Sequence, residues 1–348
     1  MWSPGLDNDR LPLPRIPVVY ERYQKLRYRP SRVLYYLGCG LRELVPGAFY
    51  RNRRRRLLGA AETYDEEVSS RLQYYVKHRE PIPLADEAVA IGRLKQRGHA
   101  SVYYHDLKQY LRYYEPHLRV AFRFGDVIDV APFPEIVKSR PVSRAEGHGE
   151  PGIDNANSLL LKLEKNRHFN FIKDPHRFAE KRKRVVFRCV GAQPHRVRFL
   201  ERYCDHPLCD VGQIGRSADP RWRVPFLGIG DQIRNQFVLN IEGYDVATSL
   251  KWAMSSNSLC LMTRPKYETW FLEGTLEAGR HYVELREDYE DLEEKVEYYS
   301  RHVEEAEAII EQAHAHVRRF QEPAREELLC LLVLDRYFRL TGQLPEGE

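Results

Sequence analysis

The chain has 348 residues, 43% of them hydrophobic and 30% charged, with 55 basic against 50 acidic side chains and a formal net charge of +5. That length predicts two domains with a cleft between them, and the near-balanced charge supplies little drive toward a nucleic-acid backbone. The apolar run at 328–334 is too short for a bilayer span, which needs about 20 residues. The opening MWSPGLDNDRLPLPRIP lacks the basic start and apolar core of a signal peptide, and the cysteines at 39, 189, 204, 209, 260 and 330 follow no framework spacing, so reduced thiols and a cytoplasmic location are expected.

Residues 1–60 are rich in Arg, Pro and Tyr, among them Tyr20 and Tyr23. They read as an amphipathic arm around YERYQKLRY that packs on the body or touches a membrane surface. The basic runs at 51–58 and 181–184 could meet phosphate groups on lipid or glycan, or be solvated surface. Helices are predicted after Asp65, over ADEAVAIGRLKQ (85–96) and over 101–114.

Leu118, Val120, Phe122 and Phe124 alternate as in a strand that stops at Gly125 and Asp126. A carboxylate at a strand end, partly shielded from water, can act as general base, although such a residue is also an ordinary turn former; Asp129 is its neighbour and competitor. Lys138 and Arg140 follow as two cations able to steady an anion, or as surface charges. Residues 143–157 read as a polar, glycine-containing loop at the cleft.

The stretch 172–184 reads as the join between domains. VVFRCV then forms a strand, GAQP a turn and HRVRFLERY a helix, so that Arg188 and Arg196 flank a strand-to-helix turn. Guanidinium groups there suit a diphosphate, and ion pairing is the ordinary alternative. Cys204, His206 and Cys209 lack the second ligand pair of a zinc site, and Gly228 and Gly230 lack the third glycine of a dinucleotide fingerprint.

FVLNIEGYDVATSLKWAMSSNSLCLM, from Phe237, reads as strand, turn, helix over 246–255, and strand. Its turn would line a crevice with Gly243, Tyr244 and Asp245, and Thr248, Ser249 and Lys251 would offer hydroxyls and an ammonium to a diphosphate at the helix start. Glu268, in the aromatic PKYETWFLEG, could bond sugar or ribose hydroxyls or be buried in the core. A long amphipathic helix, broken once, is expected over 289–320, and a buried last helix around REELLCLLVLDRYF.

IEGYDVATSLKWAMSSNSLCLM followed by PKYETWFLEG resembles the bacterial lipopolysaccharide A protein branch of the CAP10-like glycosyltransferase family 90, to which the eukaryotic protein O-glucosyltransferases also belong. The resemblance runs from about Tyr103 to about Leu340. It makes Asp126 the counterpart of the catalytic aspartate, with Gly125 where the family has arginine. Arg188 and Arg196 match two arginines, while Cys189 replaces a glycine and Ser249 stands where eukaryotic members carry another arginine. The segment NSLLLKLEKNRHF resembles the one leading to the donor site, which adds Asn157, Ser158, Arg167 and His168 as candidate acceptor or phosphate contacts.

The family implies an α/β, GT-B-like fold: two Rossmann-like domains facing a cleft, with C-terminal helices. The boundaries expected are an arm at 1–60, an acceptor-side domain at 61–180, a nucleotide-sugar-binding domain at 181–285 and helices at 286–348. It implies inverting, metal-independent transfer of glucose or xylose from a UDP-sugar to a lipopolysaccharide or other surface glycan, without a cofactor. That acceptor is glycan or lipid-linked and is made on the cytoplasmic side of the inner membrane, with peripheral membrane contact left open. The alternative is a catalytically silent glycan- or nucleotide-binding protein of the same fold.

Overall fold

The computed structural model describes residues 28, 31–59, 65–96, 101–143, 152–215 and 219–345. Of the segment 1–60 expected to form an N-terminal arm, residues 1–27, 29–30 and 60 fall outside them, as do residues 144–151 of the expected cleft loop.

Helices come first: α1 (Arg32–Glu43), α2 (Gly47–Gly59) and α3 (Glu66–Tyr75). The Asp65 carboxylate caps α3 by accepting the Val68 amide at 2.8 Å. The helix expected over 85–96 does not form. Val89–Ala90 (β1) pairs antiparallel with Arg119–Val120 (β2), and the Ile91 and Gly92 amides donate to the Leu118 and Pro116 carbonyls at 2.9 and 2.8 Å. A Cβ at Gly92 would lie 3.2 Å from the Pro116 ring. Pairing with 116–120 therefore overrides helix propensity here.

α4 (Ser101–Leu111) forms as its pattern predicts, and the strand expected over 118–124 is split between β2 and β3 (Phe122–Arg123). β3, β4 (Glu135–Val137) and β6 (Ser158–Leu160) make a three-stranded parallel sheet, followed by the short helix α5 (Lys165–His168). β5 (Ser139–Pro141) leaves that sheet to pair elsewhere.

The second half holds β7 (Arg182–Cys189), α6 (Pro194–Tyr203), β8 (Cys209–Gln213), α7 (Ile229–Gln232), β9 (Asn235–Leu239), α8 (Leu250–Met254), β10 (Leu259–Met262), β11 (Tyr267–Thr269) and β12 (Val283–Glu284). Its sheet is wholly parallel, in the order β12-β10-β9-β7-β8. The strand order reverses between β7 and β9, and the carboxyl ends of two such strands form the usual ligand crevice of an open α/β sheet.

Alternation along these strands builds two cores. Val185, Phe187, Phe237, Leu239, Leu259 and Leu261 pack with Phe199 and Leu200 of α6. Val186, Val238, Cys260 and Met262 face a core that continues into Ile136 and Leu159 of the first half. β5 pairs antiparallel with β11, opposing Arg140 to Glu268, so the halves are also joined by backbone.

The pattern expected to break once does so at His302, between α9 (Leu292–Arg301) and α10 (Val303–Arg318). The last helix, α11 (Pro323–Leu340), is buried from Leu329 to Asp335. The basic run 181–184 is not one patch: Lys181 is buried against Asp174 at 2.5 Å, and Lys183 pairs with Glu297.

Candidate active site

The residues that follow the strands of the two parallel sheets meet on one ammonium. Lys138, just after β4, reaches Asp126 beyond β3 at 2.5 Å, Glu164 beyond β6 at 3.7 Å and Asp245 beyond β9 at 2.6 Å. Lys138 is buried. Burial disfavours its charge, but Asp245, Asp126 and Glu164 outweigh that and raise its pKa, so it stays an ammonium.

Glu164 has the left-handed backbone angle φ of 56°, rare for a residue with a side chain. Its Oε2 accepts the Tyr103 hydroxyl at 2.9 Å and lies 3.3 Å from His168 Nε2, while Oε1 accepts Arg167 at 2.9 Å. Burial pushes this carboxyl up, yet His168, Arg167 and Lys138 together hold it at about 2. Burial also holds the enclosed His168 below the ordinary imidazole range, so at neutral pH it faces Glu164 uncharged. Charge balance in the cluster therefore rests on Lys138 and Arg167.

One carboxylate of the three stays open. The Asp126 side chain is 29% exposed, against 4% for Asp245 and 8% for Glu164. Asp129 is turned away, 67% exposed and paired with Arg123 at 2.8 Å.

A second positive group marks the point where strand order reverses. Arg196, in the first turn of α6, donates to the Val190 carbonyl beyond β7 at 2.8 Å and to the Ile241 carbonyl beyond β9 at 3.1 Å. Gly243 lies against this guanidinium: a Cβ there would stand 3.4 Å from Nη2, an ordinary contact distance. Among the described residues no carboxylate pairs with Arg196, and its Nε is buried without a hydrogen bond. Burial lowers its pKa, and neighbouring Arg167 adds to that. A half-buried cation bonded only to carbonyls is a ready partner for an anion. Arg167 itself crosses between the halves, donating to Thr248 at 3.2 Å, and Tyr244 is exposed in the same turn.

The match to "Glycosyl transferase family 90" covers residues 220–340. The O-glucosyltransferase LpsA of Dichelobacter nodosus is 42% identical over 274 residues, 78% of this chain and 83% of that protein. The chain belongs to glycosyltransferase family 90. Human protein O-glucosyltransferase 3 is 25% identical over 173 residues, 48% of this chain and 34% of its own length, and the rat protein of that name is 25% identical over 164 residues, 45% and 32%. A glycosyltransferase of this family brings a sugar donor and a glycan acceptor together.

Several residues expected at the site are not brought to it. Arg188 is committed to Asp210, at 2.6 Å to the carboxylate and 2.6 Å to the carbonyl, and to Pro225. α8 begins only at Leu250; Ser249 donates inward to Asn240 at 2.7 Å, and Lys251 is fully buried in an ion pair with Glu273. Arg140 and Glu268 bond each other at 2.7 Å with no exposure, joined by Tyr74. Asn157 holds the Ala131 and Pro132 carbonyls and His78, and Ser158 is buried in β6.

Tyr103 and Glu164 were not legible as site residues. The only signal for Glu164 was a carboxylate three and four residues before Arg167 and His168, a helical pairing distance. Tyr103 gave none. Among the described residues no group of three His, Cys, Asp or Glu side chains is arranged to hold a metal ion, and no helix is long and apolar enough to cross a membrane.

Proposed function

We propose that this chain is an inverting transferase that moves a sugar, glucose or xylose, from a UDP donor to a hydroxyl of a lipopolysaccharide or other surface glycan, through a GT-B-like arrangement of its halves. The observation that carries the reading is the presence of one accessible carboxylate, Asp126, and one uncompensated guanidinium, Arg196, each just beyond the carboxyl ends of strands in the parallel sheets. The name of the Dichelobacter relative supports glucose and the lipopolysaccharide acceptor.

In this mechanism the free side of Asp126 takes the proton of the acceptor hydroxyl. The hydroxyl oxygen forms its bond to the anomeric carbon from the face opposite the diphosphate. The bond from that carbon to the diphosphate oxygen breaks, and its electron pair leaves with UDP. Arg196 and Arg167, with the Thr248 hydroxyl, stabilise the departing charge. Lys138 keeps Asp126 in place, and its ammonium occupies the centre on which the three carboxylates converge. That supports catalysis without a divalent ion, and activity should persist in excess chelator.

The test is Asp126→Asn. Turnover should fall about 10²–10⁴-fold, the usual worth of a general base, with UDP-glucose or UDP-xylose affinity retained. Undiminished turnover would remove Asp126 from this role. UDP-sugar binding without transfer to any glycan in the wild type would favour the silent binding protein.

A further inference from the structure

α1 carries its apolar stripe on the outside. Leu34, Leu37, Leu41 and Leu44 recur at helical spacing and are 70%, 59%, 65% and 79% exposed, with Val33 and Phe49 beside them also exposed. The opposite face packs on α4: Tyr35 donates to Asp106 at 2.8 Å, and Cys39 is buried. Exposed leucines in one stripe beside a folded body are unlike the scattered apolar residues of an ordinary surface.

The charge around the stripe identifies its partner. Residues 31–59 contain seven arginines (32, 42, 51 and 53–56) and a single acid, Glu43. Glu43 is already paired with Lys108 and Arg112. Arg51 pairs with Glu115, and Arg53 and Arg54 fasten α2 to Glu327 and Asp335 of α11, while Arg55 and Arg56 are exposed. A second copy using the same face would set arginines against arginines. An apolar stripe bordered by cations fits a bilayer whose surface is anionic.

We infer that α1, with the arginines of α2, is a docking surface that lays its leucines into the interface of an anionic membrane. The surface is mechanically close to the site. Asp106, which holds Tyr35, also accepts the backbone amide of Lys165 at 2.8 Å, and Lys165 is the neighbour of Glu164 in the Lys138 cluster. Docking through α1 would hold the cleft near the lipid surface, where a lipid-linked acceptor is presented.

The test is co-sedimentation of the full chain with vesicles of phosphatidylcholine alone and of phosphatidylcholine mixed with phosphatidylglycerol. The wild type should partition to the anionic vesicles and weakly to the neutral ones. Leu37→Ser/Leu41→Ser should lower that partition at least about tenfold with an unchanged unfolding midpoint, because both side chains are already in water. Arg55→Ala/Arg56→Ala should lower it about fivefold per arginine and reduce its salt dependence. Wild type left in solution with anionic vesicles would overturn the inference. So would a leucine variant that binds as well as wild type, or one whose effect is to convert a dimer to a monomer in the absence of lipid.

Discussion

Lys138 and Arg140 stand two residues apart, and each bonds a carboxylate of the second half, yet the two pairs do different things. Arg140 meets Glu268 across β5 and β11 with neither side chain exposed, and Tyr74 takes the remaining carboxylate oxygen. That pair is sealed. Lys138 meets Asp245 just as closely, but it shares its charge with Asp126, whose carboxylate keeps one side toward solvent. The difference lies in saturation, not charge: a buried ion pair with both carboxylate oxygens engaged can only hold parts together, whereas one with an open oxygen can accept a proton.

Breaking the sealed pair should give the largest effect on stability. Glu268→Ala leaves the Arg140 guanidinium buried without its carboxylate, and unfolding in denaturant should show a loss of about 3–5 kcal/mol. Lys138→Gln should act mainly on chemistry. Without the ammonium, Asp126 loses the group that orients it, so turnover should fall by up to about 10²-fold. Unchanged turnover would separate Lys138 from the positioning of Asp126.

The smallest effect concerns Glu242, at the foot of the Gly243 turn. Burial pushes its carboxyl up to about 7, against the Lys266 and Tyr267 amides that favour its ionised form. Below the unfolded value of about 4.5 both states hold the proton, and between 4.5 and 7 only the folded state keeps it. Stability should therefore fall as pH rises through that window and level off above it. Glu242→Gln should flatten this part of the curve in denaturant titrations at several pH values.

Much of the fold was legible because period decides it. The runs at 237–241 and 258–262 became β9 and β10, Asp65 capped α3, and the long C-terminal pattern broke once. Residues 85–96 misled because three alanines and an isoleucine look helical, while the partner that claims their backbone lies at 116–120. At the site, sequence placed Asp126, Asp245 and Arg196 near strand ends and read Lys138 only as a cation downstream; topology then brought Asp126, Asp245 and Lys138 together. It could not separate Arg140 from Lys138, nor Lys251 and Glu268 from exposed candidates, because burial depends on partners remote in the chain: Glu268 for Arg140 and Glu273 for Lys251. Nor could it see that Asp210 occupies Arg188 and leaves Arg196 as the uncompensated cation.

The most direct test of the account is UDP binding by calorimetry to wild type, Asp126→Asn, Arg188→Ala and Arg196→Ala, each without divalent ions. A charge-assisted bond to the diphosphate is worth about 1.5–3 kcal/mol, roughly ten- to hundredfold in affinity. The account expects that loss in Arg196→Ala alone, with near-wild-type affinity in Asp126→Asn and in any Arg188→Ala protein that remains folded. Equal binding by wild type and Arg196→Ala would contradict it, and would move the diphosphate away from the point between β7 and β9 where strand order reverses.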